Sequence, residues 1–337
     1  MLWNGGRVMV SSRLPFISVV IPVRNEHKYI RACLDSVLRQ DYPRDRHEVL
    51  LAVGPSEDDT EEIIREYEEC YGHIHMLKNS KGTISCGLNI GIKAAKGEYI
   101  VRMDAHSEFA QDYISKCVEY LLKSGAENVG GPMVAEGKNP IQRAVAAAYH
   151  SPFALGGGKQ HIKDYEGYSD TVFLGAFKKI TAEEIGLFDE KLILNEDDDF
   201  NFRLSEAGGK IYISSEIHSI YYPRDTYFGL IKQYFGYGFW KVAVIKKHHK
   251  PARMSHLVPM MFVLFLIFGG FMSCFSQRFR KFYAGVMGLY AVMDAGVSCT
   301  LKAEDTSDGF MLRLRLMLIH FLLHVSYGCG FIAGLIR

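Results

Sequence analysis

Four short polar stretches hold the residue types that could do chemistry. Arg24-Asn25-Glu26, Ser56 to Asp59 and Asp104-Ala105-His106 each follow an apolar run, and Glu196-Asp197-Asp198-Asp199 sets four acids in a row. Asp104 and His106 are two residues apart, so at a strand end their side chains point the same way. A carboxylate and an imidazole so placed could share a divalent cation. Hard ions such as Mg²⁺ prefer oxygen, while Mn²⁺ accepts imidazole more readily. The other reading is that His106 faces solvent or only supports a neighbouring ligand without touching the ion. The acidic run crowds like charges, which raises at least one pKa. A carboxylate tuned in this way suits general-base work. The run could instead be only an acidic helix start, where carboxylates favour the dipole.

The elements around these groups read as alternating strands and helices. Phe16 to Pro22 is a short β-branched run, and Glu48 to Val53, Ile74 to Leu77 and Tyr99 to Met103 are further apolar runs of strand length. Between them, Ile30, Leu34, Val37 and Leu38 mark one helical face, and Ile63, Ile64 and Tyr67 another. Leu88, Ile92 and Ala95 mark a third, which Gly97 is expected to cap. Such alternation implies a mostly parallel, doubly wound α/β sheet with ligands at the carboxyl ends of its strands. The first three polar clusters fall at such ends. No Gly-x-Gly-x-x-Gly follows the first strand, so a dinucleotide site is not expected.

Five stretches give the chain a family likeness: VVIPVRNE at 19–26, SEDDT at 56–60, LNIGIKAAKGEYIVRMDAH at 88–106, FLGAFKK at 173–179 and NEDDDFNFRLSEAGGKI at 195–211. With them the chain resembles glycosyltransferase family 2, the inverting nucleotide-sugar enzymes of the GT-A fold. The Asp-x-His motif and the apolar C-terminal tail look most like the branch that builds succinoglycan-type exopolysaccharides on a lipid carrier. The resemblance implies a nucleotide-sugar site at Pro22, Arg24, Glu26, Ser56, Asp58, Lys81, Asn89 and Asp104. It also implies a divalent cation, Mn²⁺ or Mg²⁺, at Asp104 and His106, although the usual family motif is Asp-x-Asp.

By the same resemblance Asp197 is the catalytic base, with Asp198 the alternative should the alignment slip within the acidic run. Glu196 and Asp199 would position the acceptor or support the site. Gly175 and Ala176 would form the acceptor-side wall, or else a buried strand turn. Gln233 and Trp240 would close the site, although the Gln-x-x-Arg-Trp motif of processive relatives is absent. Many members carry two acids before the turn at Gly54 and an arginine at position 88; this chain has Val53, Gly54 and Leu88. The implied partners are a nucleotide-sugar donor (a UDP-sugar favoured), a lipid-linked saccharide acceptor and membrane lipids. A polyprenyl-phosphate sugar synthase and an inactive scaffold of a polysaccharide complex are the rival readings.

The composition fits this picture only when read in sections. The chain has 337 residues, 39 Lys+Arg against 38 Asp+Glu and a net charge of +1. That balance argues against a nucleic-acid binder, and 21 Phe, 19 Tyr and 2 Trp argue against wholesale disorder. Seven scattered cysteines with no Cys-x-x-Cys suit a reducing cytosol. Met254 to Gln277 runs for 24 residues with no Asp, Glu, Lys or Arg, Phe282 to Leu301 for 20 with only Asp294, and Leu316 to Ile336 for 21 with none. About 20 apolar residues suffice to cross a bilayer as a helix.

The expected organisation is a leader at 1–15, a GT-A domain at 16–226, an interfacial segment at 227–254 and a membrane region of two or three helices at 255–337. The leader, with Arg7 and Arg13 and no long apolar run, is not a signal peptide. Lys241, Lys246, Lys247, Lys250 and Arg253, beside the aromatic stretch 227–240, are expected at anionic headgroups. The whole is expected in the plasma membrane with its catalytic domain cytosolic. Three full spans would put Arg278, Arg280 and Lys281 outside, against the positive-inside preference. His320 and His324, one helical turn apart, read as helix packing or headgroup contact, with a haem or metal pair as the alternative.

Overall fold

The β-branched run after Pro15 forms the central strand, β1 (Ile17–Val23), in a computed structural model that describes residues 14–250, 253–300 and 309–337. The expected leader, apart from Leu14 and Pro15, lies outside the described residues, as does Leu301. β1 pairs in parallel with β2 (His47–Val53), β2 with β3 (Ile74–Lys78), and β1 also with β4 (Tyr99–Arg102). The linking helices are α1 (Ile30–Leu38), α2 (Thr60–Cys70) and α3 (Ile84–Ala94). All of β2, and all of β1 but Pro22, is buried, as strands covered on both faces should be. Alternate residues serve two cores. Ile17, Val19 and Ile21 pack with α1, α2 and α4 (Tyr113–Lys123), and Val20 packs with Leu88 and Ile92 of α3.

Beyond β4 the sheet is mixed. β9 (Phe173–Lys178) runs antiparallel between β4 and β6 (Asn128–Gly131). β10 (Ile211–Ile213) follows β6 in parallel, and β8 (Gly167–Ser169) closes the edge antiparallel. The order is β3-β2-β1-β4-β9-β6-β10-β8. A second small sheet joins β5 (Ser107–Phe109), β11 (Ser219–Tyr221) and β7 (Val134–Ala135). Five more helices complete this part: α5 (Pro140–Tyr149), α6 (Pro152–Leu155), α7 (Lys179–Glu184), α8 (Glu196–Glu206) and α9 (Tyr227–His248). The expected doubly wound core is present, with β8 and β9 reversed within it. Gly97 has a different purpose from the expected cap. It is not among the residues with left-handed φ, and a Cβ there would lie 2.4 Å from the Ser18 nitrogen. Close approach to β1 is what requires glycine.

Three C-terminal helices are long and apolar enough to cross a membrane: α10 (Val258–Phe275), α11 (Gln277–Thr300) and α12 (Gly309–Ile336). They are not equivalent. Protein buries 11% of the most apolar stretch of α10 and of α11, but 44% of that of α12. α12 lies along α9 through a seam of glycines. A Cβ at Gly238 would fall 2.0 Å from the Tyr327 carbonyl oxygen, and one at Gly330 2.0 Å from that of Phe235. Gly330 and Gly334 are four apart, the spacing that lets helix backbones meet. Leu316, Ile319 and Leu323 share a core with Ala144, Tyr149, Leu230 and Tyr234, so packing is continuous across residue 226.

The two histidines of α12 each have their own partners. His320 Nδ1 lies 2.6 Å from Asp294 Oδ1 on α11. His324 pairs with Tyr290 Oη at 2.9 Å and the Phe153 carbonyl at 2.9 Å. Both serve helix packing. Valine at position 330 would wedge α9 from α12, and overpacking of this kind costs about 1–3 kcal/mol. Gly330→Val should lower the thermal midpoint in detergent, whereas the same change at Gly285, where a Cβ meets nothing within 4 Å, should not.

Candidate active site

The loops after β1 and β2 are tied to each other. Asn25 sits in the left-handed region at φ 55°, which asparagine tolerates better than most residues. Its N–H donates to Ser56 Oγ at 3.0 Å, and its Oδ1 accepts from the Glu57 N–H at 2.9 Å. The Glu26 N–H donates to Thr60 Oγ1 at 2.8 Å. Asp58 accepts from the His27 N–H at 3.4 Å and the Thr60 N–H at 3.2 Å. Burial alone would raise the Asp58 carboxyl, but the bonds from Thr60 and His27 hold it below its ordinary value. Asp58 thus organises the loop. Arg24 Nε donates to the Pro55 carbonyl at 3.2 Å. A Cβ on Gly54 would be 2.9 Å from the Gly82 Cα, so the loop after β3 closes against the same corner. Pro22 lies within β1 opposite Ala52, against Gly87 of α3.

The third cluster joins them through Glu26. His106 Nδ1 is 3.1 Å from Glu26 Oε1, and the ring meets Tyr221 edge-on at 5.4 Å. Burial would lower the imidazole pKa, but the Glu26 hydrogen bond and charge raise it on balance. His106 Nε2 has no hydrogen-bond partner among the described residues. A carboxylate on one ring nitrogen with the other free is the usual arrangement of a metal-binding histidine. Among the described residues no three His, Cys, Asp or Glu side chains gather for an ion. Asp104 and His106 offer two donors, and phosphate oxygens of a ligand would complete a shell of the kind Mg²⁺ adopts.

The centre of the site is Arg102, the last residue of β4, which is 8% exposed. Its Nε lies 3.4 Å from Asp104 Oδ1, and its Nη2 lies 3.2 Å from Glu196 Oε1. Burial pushes Glu196 up to about 7, against the pull of Arg102. Asp197 is raised by burial first and by the Asp198 charge next. It is partly exposed and accepts from the Asp198 N–H at 2.9 Å. An α-helix turns about 100° per residue, so the four acids of α8 face different ways. Asp198 pairs with Lys241. Asp199, 0% exposed, is held by Arg203 at 2.9 Å and by Lys247 and His248 at 2.8 Å each. It locks α8 to α9 and faces away from the Arg102 cluster.

Other expected residues are placed as follows. Lys81 pairs with Glu190 at 2.8 Å on the surface. Asn89 is buried and holds Phe188, donating to its carbonyl and accepting from its N–H, both at 2.9 Å. Lys81 first and Asn89 second pull Glu190 down to about 2. Gly175, at φ +34°, makes room for Asn128, whose Oδ1 a Cβ would approach to 2.5 Å. Ala176 is 1% exposed in the sheet between Val101 and Val129. Gln233 joins the site's edge, donating to Tyr221 Oη at 3.3 Å and Tyr237 Oη at 3.0 Å. Trp240 is not brought there. It packs beside Phe239 and under Arg337, at the far end of α12.

The basic collar differs most from expectation. Lys241 is 7% exposed and paired with Asp198. Lys247 meets Asp189 and Asp199, Lys250 meets Glu206 at 3.6 Å, and Arg253 meets Asp170. Lys246 donates to the Gly334 carbonyl at 3.4 Å. Most of these cations face acids of the folded domain, so the collar's surplus of charge is largely neutralised. Sequence reasoning missed Arg102 and Glu190. Arg102 stands inside the quoted Asp-x-His stretch, but only the fold shows what it bridges.

A solved structure with the same fold is the mannosyltransferase PcManGT from Pyrobaculum calidifontis, in complex with GDP-Man and Mn²⁺. It has TM-score 0.60 at 16% identity, over 96% of this chain and 88% of that one. The protein therefore has the GT-A fold, with its polar clusters at the strand ends where such folds bind ligands. The model for glycosyl transferase family 2 matches residues 18–181. Dolichyl N-acetyl-alpha-D-glucosaminyl phosphate 3-beta-D-2,3-diacetamido-2,3-dideoxy-beta-D-glucuronosyltransferase of Methanococcus voltae is 30% identical over 96% of this chain and 98% of its own. Succinoglycan biosynthesis protein ExoA of Rhizobium meliloti is 30% identical over 72% of this chain and 74% of its own. The chain belongs to glycosyltransferase family 2.

Asp199→Ala leaves Arg203, Lys247 and His248 around an empty site. Breaking a buried pair in this way costs about 3–5 kcal/mol, a loss readable as a lowered unfolding midpoint. Because the folded carboxyl lies below the isolated value of 3.8, the stability it contributes is present above that pH. It should be lost as the pH falls further, and the Ala variant should lack that acid dependence.

Proposed function

We propose that the protein is a membrane-anchored, inverting glycosyltransferase. It moves a sugar from a nucleotide donor, a UDP-sugar favoured, to a lipid-linked saccharide in the assembly of an exopolysaccharide or other cell-surface glycan. The observation that carries this reading is the Arg102 bridge, which sets Asp104 on one side and Glu196 beside Asp197 on the other. The names of the Methanococcus and Rhizobium relatives, a lipid-linked sugar transferase and a polysaccharide assembly protein, support the acceptor class.

Asp104 and His106 would hold a divalent cation, Mn²⁺ or Mg²⁺, which supplies charge to neutralise the leaving diphosphate. The loop bearing Arg24, Glu26 and Ser56 would receive the nucleotide. Lys81 and Asn89 would order the 188–190 segment over the donor. Asp197 takes the proton of the acceptor hydroxyl, and its burial raises its basicity. Attack from the face opposite the diphosphate inverts the sugar carbon. Glu196, fixed by Arg102, keeps the first turn of α8 at the cleft. α10 and α11, with little protein contact, anchor the chain in the plasma membrane with the catalytic domain in the cytosol.

Purified membranes incubated with UDP-, GDP- and dTDP-sugars and Mn²⁺ or Mg²⁺ should yield a lipid-linked product one sugar heavier by mass spectrometry. Asp104→Ala should abolish it with the fold intact. Asp197→Asn should slow transfer by about 10²–10⁴-fold, the usual contribution of a general base. Near-full activity in Asp197→Asn would point instead to a phosphate acceptor, which needs no base. Full activity in Asp104→Ala would overturn the mechanism.

A further inference from the structure

A second cavity lies behind the acidic run. It encloses about 420 Å³ between α8, the segment before β9 and the residues that lead into α10. Asp198, Phe202 and Ser205, spaced along one face of α8, form one wall. Asp170 and Thr171 form another, and Arg253 and His256 line the side where the membrane helices begin. Its size falls within the usual range of small-ligand sites.

We propose that this cavity is the subsite for the saccharide of the lipid-linked acceptor, an inference that rests on the acceptor class proposed above. Position is the first argument. Asp198 lines the cavity and follows Asp197 in the first turn of α8, so the cavity shares that helix end with the base. The wall made by Arg253 and His256 immediately precedes α10, so a ligand held there would keep its lipid close to the apolar helices. Charge is the second argument. Lys241 is matched by Asp198, Arg253 by Asp170 and Lys250 by Glu206. No surplus of cations is left for a phosphate, yet donors and acceptors abound for a neutral polyol. The third argument is an unmet hydrogen bond. His256 lines the cavity and its Nδ1 is buried with no partner among the described residues; a small turn of the ring would present it to a sugar hydroxyl. The expected acceptor wall is less suited, since Ala176 is sealed within the sheet.

Ser205 is exposed at the rim and donates only to the Asn201 carbonyl of its own helix. A cysteine there, Ser205→Cys, reports occupancy through its maleimide alkylation rate above the background of the unaltered chain. Dolichyl N-acetylglucosaminyl phosphate in detergent micelles should slow alkylation at least fivefold, and dolichyl phosphate without sugar should not. Equal protection by both lipids would assign the cavity to phosphate and overturn the inference. No protection, with the unaltered chain still transferring sugar to the same lipid, would overturn the subsite while leaving the proposed function standing. No protection, together with no lipid-linked product in the membrane assay with any of the donors, would overturn both. Ser205→Trp, which fills the rim, should raise the acceptor KM at least tenfold with donor KM and thermal midpoint unchanged. An acceptor KM within twofold of the unaltered chain would also overturn the inference.

Discussion

A guanidinium buried at the end of a parallel strand must be matched by charge, and the site is organised around that need. Arg102 stays protonated because Asp104 and Glu196 outweigh the desolvation that would favour its neutral form. Without both carboxylates the burial would cost several kcal/mol per ion. β4 takes its place beside β1 through the pairing of Val20 with Arg102, so the sheet itself carries the arginine to the loops after β1. The first turn of α8 is then drawn to the same point by Glu196. One side chain connects the strand bearing the Asp-x-His pair to the helix bearing the acidic run.

The back of α8 is held by an equal and opposite device. Asp199 is held by Arg203 of α8 and by Lys247 and His248 of α9, and α9 in turn lies along α12 through glycines that tolerate no larger residue. The acidic helix is therefore fixed from both sides, by Arg102 in front and by the α9–α12 pair behind. Movement of α12 would reach the site through α9, Lys241 and Asp198. That makes the last apolar helix part of the enzyme's scaffold. It also explains why the basic collar is turned inward, since Lys241, Lys247 and Lys250 are counter-charges of α8.

Much of this was legible in the sequence because it is local. The apolar runs of β1, β2, β3 and β4 were placed to within a residue or two, but Asp104 and His106 lie beyond the end of β4, where strand alternation no longer sets their directions. Helix and strand periods could not say which way each of Glu196, Asp197, Asp198 and Asp199 would face, since that depends on what packs around α8. The same limit governs Lys241, which reads as a headgroup lysine by composition and is buried against Asp198. Trp240 was expected at the site from its place in a degraded motif, but the rotation of α9 carries it to Arg337. Gly97 looked like a cap and proved to be a point of contact with β1. In each case the deciding partner lies far away in the chain.

Arg102 joins the strand bearing Asp104 to the helix bearing Glu196, and activity should depend on that joint. A double-mutant cycle of Arg102→Met and Glu196→Gln, read as kcat/KM for sugar transfer, tests it most directly. Residues acting through one contact should not be additive, so the double variant should be little slower than Arg102→Met alone. Losses that add to within about 0.5 kcal/mol would mean independent roles, and would contradict the account.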